Sequence, residues 1–197
     1  MNEKSRLRIG FAMCGSYCTY EKAISALERL HEKYPDIQPI MSERARNTDT
    51  RFGAADDFAA RVEAICGKKI IATIADAEPI GPKKLFDILV IAPCTGNTLS
   101  KIASAVTDSA VTMACKAHLR NGRPVLIAVS TNDALSGSAK AIGELLARKN
   151  VFFVPFYQDD PFGKPTSLAA DYGRLEAAIE AALRSEQLQP LISSEAT

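Results

Sequence analysis

Five short runs of apolar residues recur along the chain, each rich in Val, Ile or Phe and each followed by a segment of different periodicity. Residues that are apolar at successive positions are typical of strands covered on both faces, and such strands occur mainly in parallel sheets. The pattern therefore predicts the central strands of a parallel sheet. These runs are residues 7–13, 37–41, 87–92, 124–129 and 151–156.

Helical spacing of apolar residues fills the intervals between these runs. In the first interval, Ile24, Leu27 and Leu30 lie on one helix face. Repeated strand–helix–strand units require right-handed crossovers, which place helices on both faces of the sheet. We therefore predict an α/β fold, a three-layer αβα doubly wound parallel sheet of the Rossmann or flavodoxin-like type. The predicted helices are 17–33, 54–66, 97–105, 109–121, 136–148 and 168–186.

Length and composition indicate one folding unit. A chain of 197 residues that is 47% hydrophobic can bury one sizeable core. We expect a single domain over residues 1–186. The final segment, QLQPLISSEAT at 187–197, has no periodic apolar pattern and is expected to form a disordered tail.

The balance of charged residues and the cysteine content argue against several classes of function. The 24 Lys and Arg residues balance 23 Asp and Glu residues, so no electrostatic argument favours nucleic acid or a membrane surface as a partner. No apolar run approaches the roughly 18 residues of a membrane span, and the start of the chain lacks a signal-peptide pattern. We expect a cytoplasmic protein. Five cysteines without a CxxC pair and two histidines predict neither a disulfide framework nor a metal site.

The loop after the first apolar run has the features of an anion site. In MCGSYCTYEKA, Gly15 and Ser16 stand at the mouth of a helix and Thr19 lies one turn in. Free N–H groups and hydroxyls at a helix N-terminus suit a phosphate. Neither GxGxxG nor GxxxxGK[ST] is present, so a monophosphate fits better than a dinucleotide or a triphosphate. An ordinary N-cap by Ser16 also accounts for this loop.

A second polar turn, PCTGNT, follows the apolar run at 87–92. Thr95, Asn97 and Thr98 stand at the start of the next predicted helix, on the same sheet edge as Ser16, because the carboxyl ends of parallel strands share one edge. Asn97 or Thr98 could serve only as a helix cap. Capping does not account for the longer stretch that runs from PCTGNT to STNDAL.

The stretch APCTGNT, together with the downstream STNDAL, resembles the homo-oligomeric flavin-containing Cys decarboxylase family, whose members carry APASANT or APATANT. The resemblance covers residues 7–155. It implies an FMN cofactor, a homo-oligomer built from trimers, and Asn97 and Asn132 as residues of the reaction site. The residues that it implies for flavin binding are Gly15, Ser16, Thr19, Ser42, Thr95, Asn97, Thr98 and Ser130.

Two departures from the family pattern disfavour decarboxylation. Pro79 occupies the position of the family's upstream His, and VSTNDALS keeps only Asn132 of the PxMNxxMW motif. The segments at 46–53, 78–82 and 154–171 resemble a narrower group of flavoprotein subunits. That resemblance implies that the partner is a second, dehydrogenase-like polypeptide and that the substrate is a cyclic dicarboxylate, in the mother cell of sporulating bacteria.

A dicarboxylate requires fixed cations, and six basic residues fall in or next to the edge loops: Arg44, Arg46, Arg51, Lys83, Lys84 and Lys164. We predict that Arg46, Arg51 and Lys164 bind the substrate, although each is also explained as a solvated surface charge. A nicotinamide nucleotide would bind the second polypeptide, since this chain lacks GxGxxG. Three functions stay open: one subunit of an FMN-dependent oxidoreductase, a decarboxylase of a cysteinyl substrate, and a noncatalytic flavin-binding or scaffold protein.

Overall fold

The computed structural model describes residues 7–194, which fold around one mostly parallel sheet. Strands β1 to β5 run parallel in the order β2-β1-β3-β4-β5, with β5 beside the first half of β4. Two short antiparallel strands extend the sheet: β7 pairs with the carboxyl end of β4, and β6 pairs with β7. The strands are β1 (Ile9–Met13), β2 (Ile37–Met41), β3 (Ile88–Cys94), β4 (Val125–Thr131), β5 (Val151–Phe153), β6 (Phe156–Tyr157) and β7 (Leu168–Ala170).

Helices cover both faces of this sheet and bury two apolar layers. Neighbouring residues of β1 point to opposite faces: Phe11 packs with α1, α3 and α9, and Ala12 packs with α4 to α8. The predicted three-layer α/β fold is confirmed, and the strand order is that of flavodoxin-like proteins. The helices are α1 (Tyr20–Lys33), α2 (Glu43–Asn47), α3 (Ala55–Cys66), α4 (Ile74–Ala77), α5 (Ile80–Lys83), α6 (Gly96–Ala103), α7 (Ala110–Leu119), α8 (Ala139–Leu146) and α9 (Leu175–Leu183).

The predicted helix at 168–186 is wrong at its start. Residues 168–170 form β7, a short 3-10 helix follows at Tyr172–Arg174, and α9 begins only at Leu175. β4 extends beyond the end of β5, which leaves backbone groups at Ser130 that pair with β7. Tertiary pairing therefore overrides the local helical pattern here.

The segment after α9 also differs from the expected disordered tail. The Gln187 side chain accepts from the Phe153 N–H and donates to the Phe153 carbonyl oxygen, both at 2.8 Å. The Phe156 N–H donates to the Leu191 carbonyl oxygen at 2.9 Å. These bonds fix the described part of the tail along the edge strands, and only the last three residues of the tail lie outside the described range.

His118 on α7 predicts a pH dependence of stability. Its Nε2 lies 3.1 Å from the Pro124 carbonyl oxygen, so Nε2 carries the proton of the neutral ring. Burial, together with the charge of Arg123, lowers the pKa of His118 from 6.5 to about 4. The unfolded chain takes up a proton as the pH falls through 6.5, whereas the folded chain does so only near 4. The free energy of unfolding should therefore fall by about 3 kcal/mol across this window.

His118→Gln provides the comparison, because Gln offers an N–H donor for Pro124 but does not titrate. Urea unfolding at several pH values should show a shallower loss of stability in the variant than in the parent between pH 6.5 and 4. Parallel stability curves for the two proteins would show that His118 does not control this window.

Candidate functional site

A crevice opens at the carboxyl edge of the sheet, where the strand order reverses between β1 and β3. Loops leaving these two strands turn to opposite sides, which is where doubly wound folds bind ligands. Two cavities lie there, with volumes of about 370 Å³ and 650 Å³. Gly15 after β1 and Thr95 after β3 line both cavities, so the two are neighbours.

We call the smaller one the hydroxyl cavity, because three linked hydroxyl groups line one side. Thr19 Oγ1 donates to the Ser16 carbonyl oxygen at 2.8 Å and lies 3.1 Å from Ser130 Oγ, which lies 2.8 Å from Ser16 Oγ. Each hydroxyl has one proton. Because Thr19 donates its only hydroxyl proton to the Ser16 carbonyl oxygen, Ser130 donates to Thr19 and Ser16 donates to Ser130. In this arrangement Ser16 offers the cavity only an acceptor.

Two cations and an amide complete the hydroxyl cavity. Arg51 is exposed and its guanidinium carbon lies 4.9 Å from the centre of the Phe52 ring. Lys164 Nζ lies 3.3 Å from Asp159 Oδ2. Burial opposes ionisation of Asp159, but hydrogen bonds from Ser167 and Lys164 hold the pKa of Asp159 below its usual value. The exposed Asn132 side chain makes no hydrogen bond to residues 7–194.

We call the larger one the helix-end cavity, because the N-terminal ends of α2, α6 and α7 meet around it. Ser42, Thr95 and Ser109 are the three N-caps, and each accepts a backbone N–H of its own helix at 3.2 Å. The first N–H groups of a helix have no partner within the helix, and its N-terminus carries partial positive charge. The helix-end cavity therefore favours an anionic ligand.

Charged side chains of both signs line the helix-end cavity. They are Arg44, Lys101, Glu43 and Asp108. Lys101 Nζ lies 2.7 Å from Asp108 Oδ2, and this hydrogen bond lowers the pKa of Asp108. A Glu43 carboxylate oxygen accepts the Ala110 N–H at 3.3 Å, so the end of α7 already holds an internal anion. Within residues 7–194 no carboxylate accepts a backbone N–H at the start of α6, and we call this the open end of α6.

Asn97 lies at that open end, and it is not the cap of the helix. Thr95 caps α6 and also donates to Thr98 Oγ1 at 3.1 Å, so the buried Thr98 hydroxyl has a hydrogen-bond partner. The Asn97 side chain is exposed, lines the helix-end cavity and has no hydrogen-bond partner within the described range of 7–194. Its amide is therefore free to contact a ligand.

The loop after β4 packs directly on the start of α6. A Cβ at Gly96 would overlap Ser138 Oγ and lie 2.7 Å from Asp133 Oδ1. Asp133 holds this loop together by accepting hydrogen bonds from Ser138 at 2.9 Å and Thr131 at 2.5 Å. Only glycine permits this approach, which fixes the open end of α6 against the loop after β4.

The structure brings together all but one of the residues predicted for the site. Arg46 is the exception, because it lines neither cavity and donates to Asp56 at 2.6 Å. Ser16, Thr19, Arg51, Ser130, Asn132 and Lys164 line the hydroxyl cavity, Ser42, Asn97 and Thr98 line the helix-end cavity, and Gly15 and Thr95 line both.

Five lining residues of the helix-end cavity were not among the predicted site residues: Glu43, Arg44, Lys101, Asp108 and Ser109. Ser109 carries a signal in the sequence, since Ser109 and Thr112 form a reciprocal capping box at the start of α7. Arg44 is one of the six cations that the sequence places near the edge loops, whereas Lys101 shows no such pattern. Their placement depends on how α2 and α6 approach one another.

Two buried thiols lie beneath the boundary between the cavities. Cys14 and Cys94 are at most 1% exposed. A hydrogen bond with Cys94 lowers the pKa of Cys14, whereas burial raises that of Cys94. Both cysteines are free, and neither lines a cavity, although their chain neighbours Gly15 and Thr95 line both.

With this geometry in place, comparison with known proteins defines the class of the chain. Residues 1–174 match the Flavoprotein family, and the chain belongs to that family. It is 45% identical over 185 residues to the dipicolinate synthase B subunit of Bacillus subtilis (strain 168), and the match covers 94% of this chain and 92% of that protein.

Solved structures agree with this likeness. The crystal structure of the dipicolinate synthase B subunit from Bacillus halodurans C superposes with a TM-score of 0.90 at 43% identity and full coverage of both chains. Burkholderia xenovorans DmrB in complex with FMN shares the fold, with a TM-score of 0.66 at 16% identity over 91% of this chain and 96% of that one. Within residues 7–194, no helix is long and apolar enough to span a membrane.

Proposed function

We propose that this protein is the FMN-binding subunit of a dipicolinate synthase. It acts with the dehydrogenase-like A subunit of that enzyme in the oxidation of a dihydrodipicolinate-type intermediate to dipicolinate, pyridine-2,6-dicarboxylate, in the mother-cell cytoplasm of a sporulating bacterium. Similarity to two dipicolinate synthase proteins, at 45% and 43% identity, supports the assignment. The observation that carries it is that the two cavities are neighbours that share Gly15 and Thr95. Helix N-termini favour an anion in the helix-end cavity, and Arg51 and Lys164 line the hydroxyl cavity.

The residues present fit FMN in one orientation best. The open end of α6, with Ser42, Asn97 and Lys101 nearby, suits the phosphate group. Ser16 suits it less, because only a three-residue 3-10 helix follows Ser16 and α1 begins at Tyr20. We therefore place the phosphate in the helix-end cavity and the flavin ring across Gly15 and Thr95, toward the hydroxyl cavity. When bound there, the ring would supply an acceptor for the two electrons and two protons that the substrate loses.

The dicarboxylate then occupies the hydroxyl cavity. Arg51 and Lys164 bind its two carboxylates, although Asp159 offsets part of the charge of Lys164, and the free Asn132 amide orients it by hydrogen bonding. The aromatic side chain of Phe52 stands beside Arg51 and helps to exclude water. These residues bind and orient the substrate, whereas the redox chemistry belongs to the cofactor.

A nicotinamide nucleotide has no matching site in the part of this chain that the structure describes. The β1 loop carries CGSYCT rather than GxGxxG, and its hydroxyls are committed to one another. We assign nucleotide binding to the dehydrogenase-like subunit, and we expect this chain to form homo-oligomers built from trimers. Cysteinyl decarboxylation has less support, since Pro79 precedes α5 and lines neither cavity.

Ligand binding to the purified chain tests the proposal. FMN should bind at least about 100-fold more tightly than riboflavin, because only FMN places a phosphate at the open end of α6. FAD and NAD should bind weakly. Equal affinity for FMN and riboflavin would contradict the phosphate site. A chain that binds FMN but whose flavin no dicarboxylate reduces would instead support the noncatalytic role.

The substrate half of the proposal predicts a specific kinetic effect at Arg51. Arg51→Ala should raise the KM for the dihydro-dicarboxylate about tenfold with little change in kcat, because a ground-state carboxylate contact is lost. Arg46→Ala is the matched control, since Arg46 pairs with Asp56 outside both cavities. Steady-state kinetics with the dehydrogenase-like subunit present should separate the two variants. Equal changes in KM in the two variants would show that Arg51 does not bind the substrate.

A further inference from the structure

The oxidation assigned to this site needs a base, and one carboxylate lines the hydroxyl cavity. The substrate loses two hydrogens: one leaves with two electrons as hydride, and the other leaves as a proton that a base must accept. Arg51 and Lys164 are cations and have no lone pair for this proton. Among residues 7–194, Asp159 is the one acidic residue that lines the hydroxyl cavity, and it lies in the loop between β6 and β7.

Hydrogen bonds fix the Asp159 carboxylate and still leave it able to accept a proton. Oδ1 accepts from the buried Ser167 hydroxyl at 2.6 Å, and Oδ2 lies 3.3 Å from Lys164 Nζ. A carboxylate oxygen has two lone pairs, and 3.3 Å is long for a charge-assisted hydrogen bond, so Oδ2 retains acceptor capacity. Thr166 donates to the Asn132 carbonyl oxygen at 2.6 Å, which ties the loop of Asp159 to the residue that orients the substrate.

Asp159 is ionised at neutral pH, as a base must be. Burial disfavours its charge, but the hydrogen bonds from Ser167 and Lys164 keep the pKa of Asp159 below its usual value. A carboxylate of low pKa is a weak base. It suffices here because loss of the proton makes the substrate ring aromatic, which makes that proton acidic. A substrate carboxylate that draws Lys164 toward itself also weakens the support for the Asp159 charge and strengthens the base.

We propose that Asp159 is a catalytic residue whose Oδ2 is the general base for the dihydro-dicarboxylate. The proposal rests on the proposed function, because FMN is the oxidant. One ring C–H bond breaks, and its hydrogen leaves with both electrons for the flavin. The second bond to hydrogen leaves its electron pair in the ring as a new double bond, and its proton forms an O–H bond with Asp159. The Asp159 side chain is 29% exposed, so the proton then passes to the solvent.

Asp159→Asn removes the base with little change of shape, because the amide oxygen can still accept from Ser167. In the FMN-loaded chain, anaerobic flavin reduction at saturating substrate should be at least about 100-fold slower. Calorimetry with pyridine-2,6-dicarboxylate should show equal or tighter binding, because a negative charge beside the ligand is removed. Asp160→Asn is the matched control, and both values should stay at those of the parent. Asp160 accepts the Gly163 N–H at 2.8 Å and lines neither cavity.

The alternative role of Asp159 is to orient Lys164, and a double variant separates the two roles. Lys164→Met should weaken dicarboxylate binding, and in this background Asp159→Asn should still slow flavin reduction at saturation at least about 100-fold. No further slowing there, or an unchanged rate in Asp159→Asn alone, would overturn the base role while the proposed function stands. A parent chain whose flavin the substrate does not reduce would refute the proposed function, and the base role with it.

Discussion

Replacing Asn97 with Asp is expected to lower the affinity for FMN about 100-fold, while riboflavin affinity stays nearly constant. The new carboxylate would stand at the open end of α6, next to the position that we assign to the phosphate. The fold should not suffer, because Thr95 already caps the helix and a negative charge near a helix N-terminus is favourable. Fluorescence titration with the two flavins measures this difference directly.

Asn132→Asp is the matched control, because it makes the same change in the hydroxyl cavity. It should weaken binding of the dicarboxylate, whose charge it opposes, and leave the preference for FMN over riboflavin intact. If Asn132→Asp abolished that preference and Asn97→Asp did not, the phosphate would lie in the hydroxyl cavity. The orientation proposed for FMN would then be reversed.

Gly96→Ala is expected to cost about 2–3 kcal/mol of stability and to weaken FMN binding at least tenfold. The added methyl group would overlap Ser138 Oγ and lie 2.9 Å from Thr131 Oγ1. Either α6 or the loop after β4 must move, and both border the site. Denaturant unfolding and flavin titration on the same samples measure the two effects.

Gly143→Ala in α8 separates this clash from a general effect of replacing glycine. A Cβ at Gly143 meets no atom within 4 Å. Alanine should therefore stabilise this helix by about 0.5–1 kcal/mol and leave flavin binding unchanged. Normal stability and FMN affinity in Gly96→Ala would show that the packing of α6 against the loop does not shape the site.

The sequence reveals the central strands because both faces of each strand are buried. Strands β1 to β4 are apolar at nearly every position. This pattern can be recognised without knowing which strands pair with one another. β6 and β7 are two and three residues long, too short for a recognisable alternation. Their formation depends on the free edge at the end of β4, which is a property of the assembled sheet.

The position of the site on the sheet could be predicted from the sequence, but the arrangement of its side chains could not. Parallel strands place Ser16 and Thr95 on one edge, which topology alone requires. Arg46 and Arg51 are close in sequence, yet α2 turns Arg46 toward Asp56 and only Arg51 reaches a cavity.

Anaerobic reduction of the bound flavin tests the central claim most directly. The FMN-loaded chain should be mixed with the dihydrodipicolinate-type substrate while the visible absorbance of oxidised flavin is followed and pyridine-2,6-dicarboxylate is quantified. We predict loss of that absorbance with one dicarboxylate formed per flavin and, at substrate concentrations below the KM, slower loss in Arg51→Ala than in Arg46→Ala. Flavin that stays oxidised, while the dehydrogenase-like subunit forms the dicarboxylate at full rate without this chain, would contradict the account.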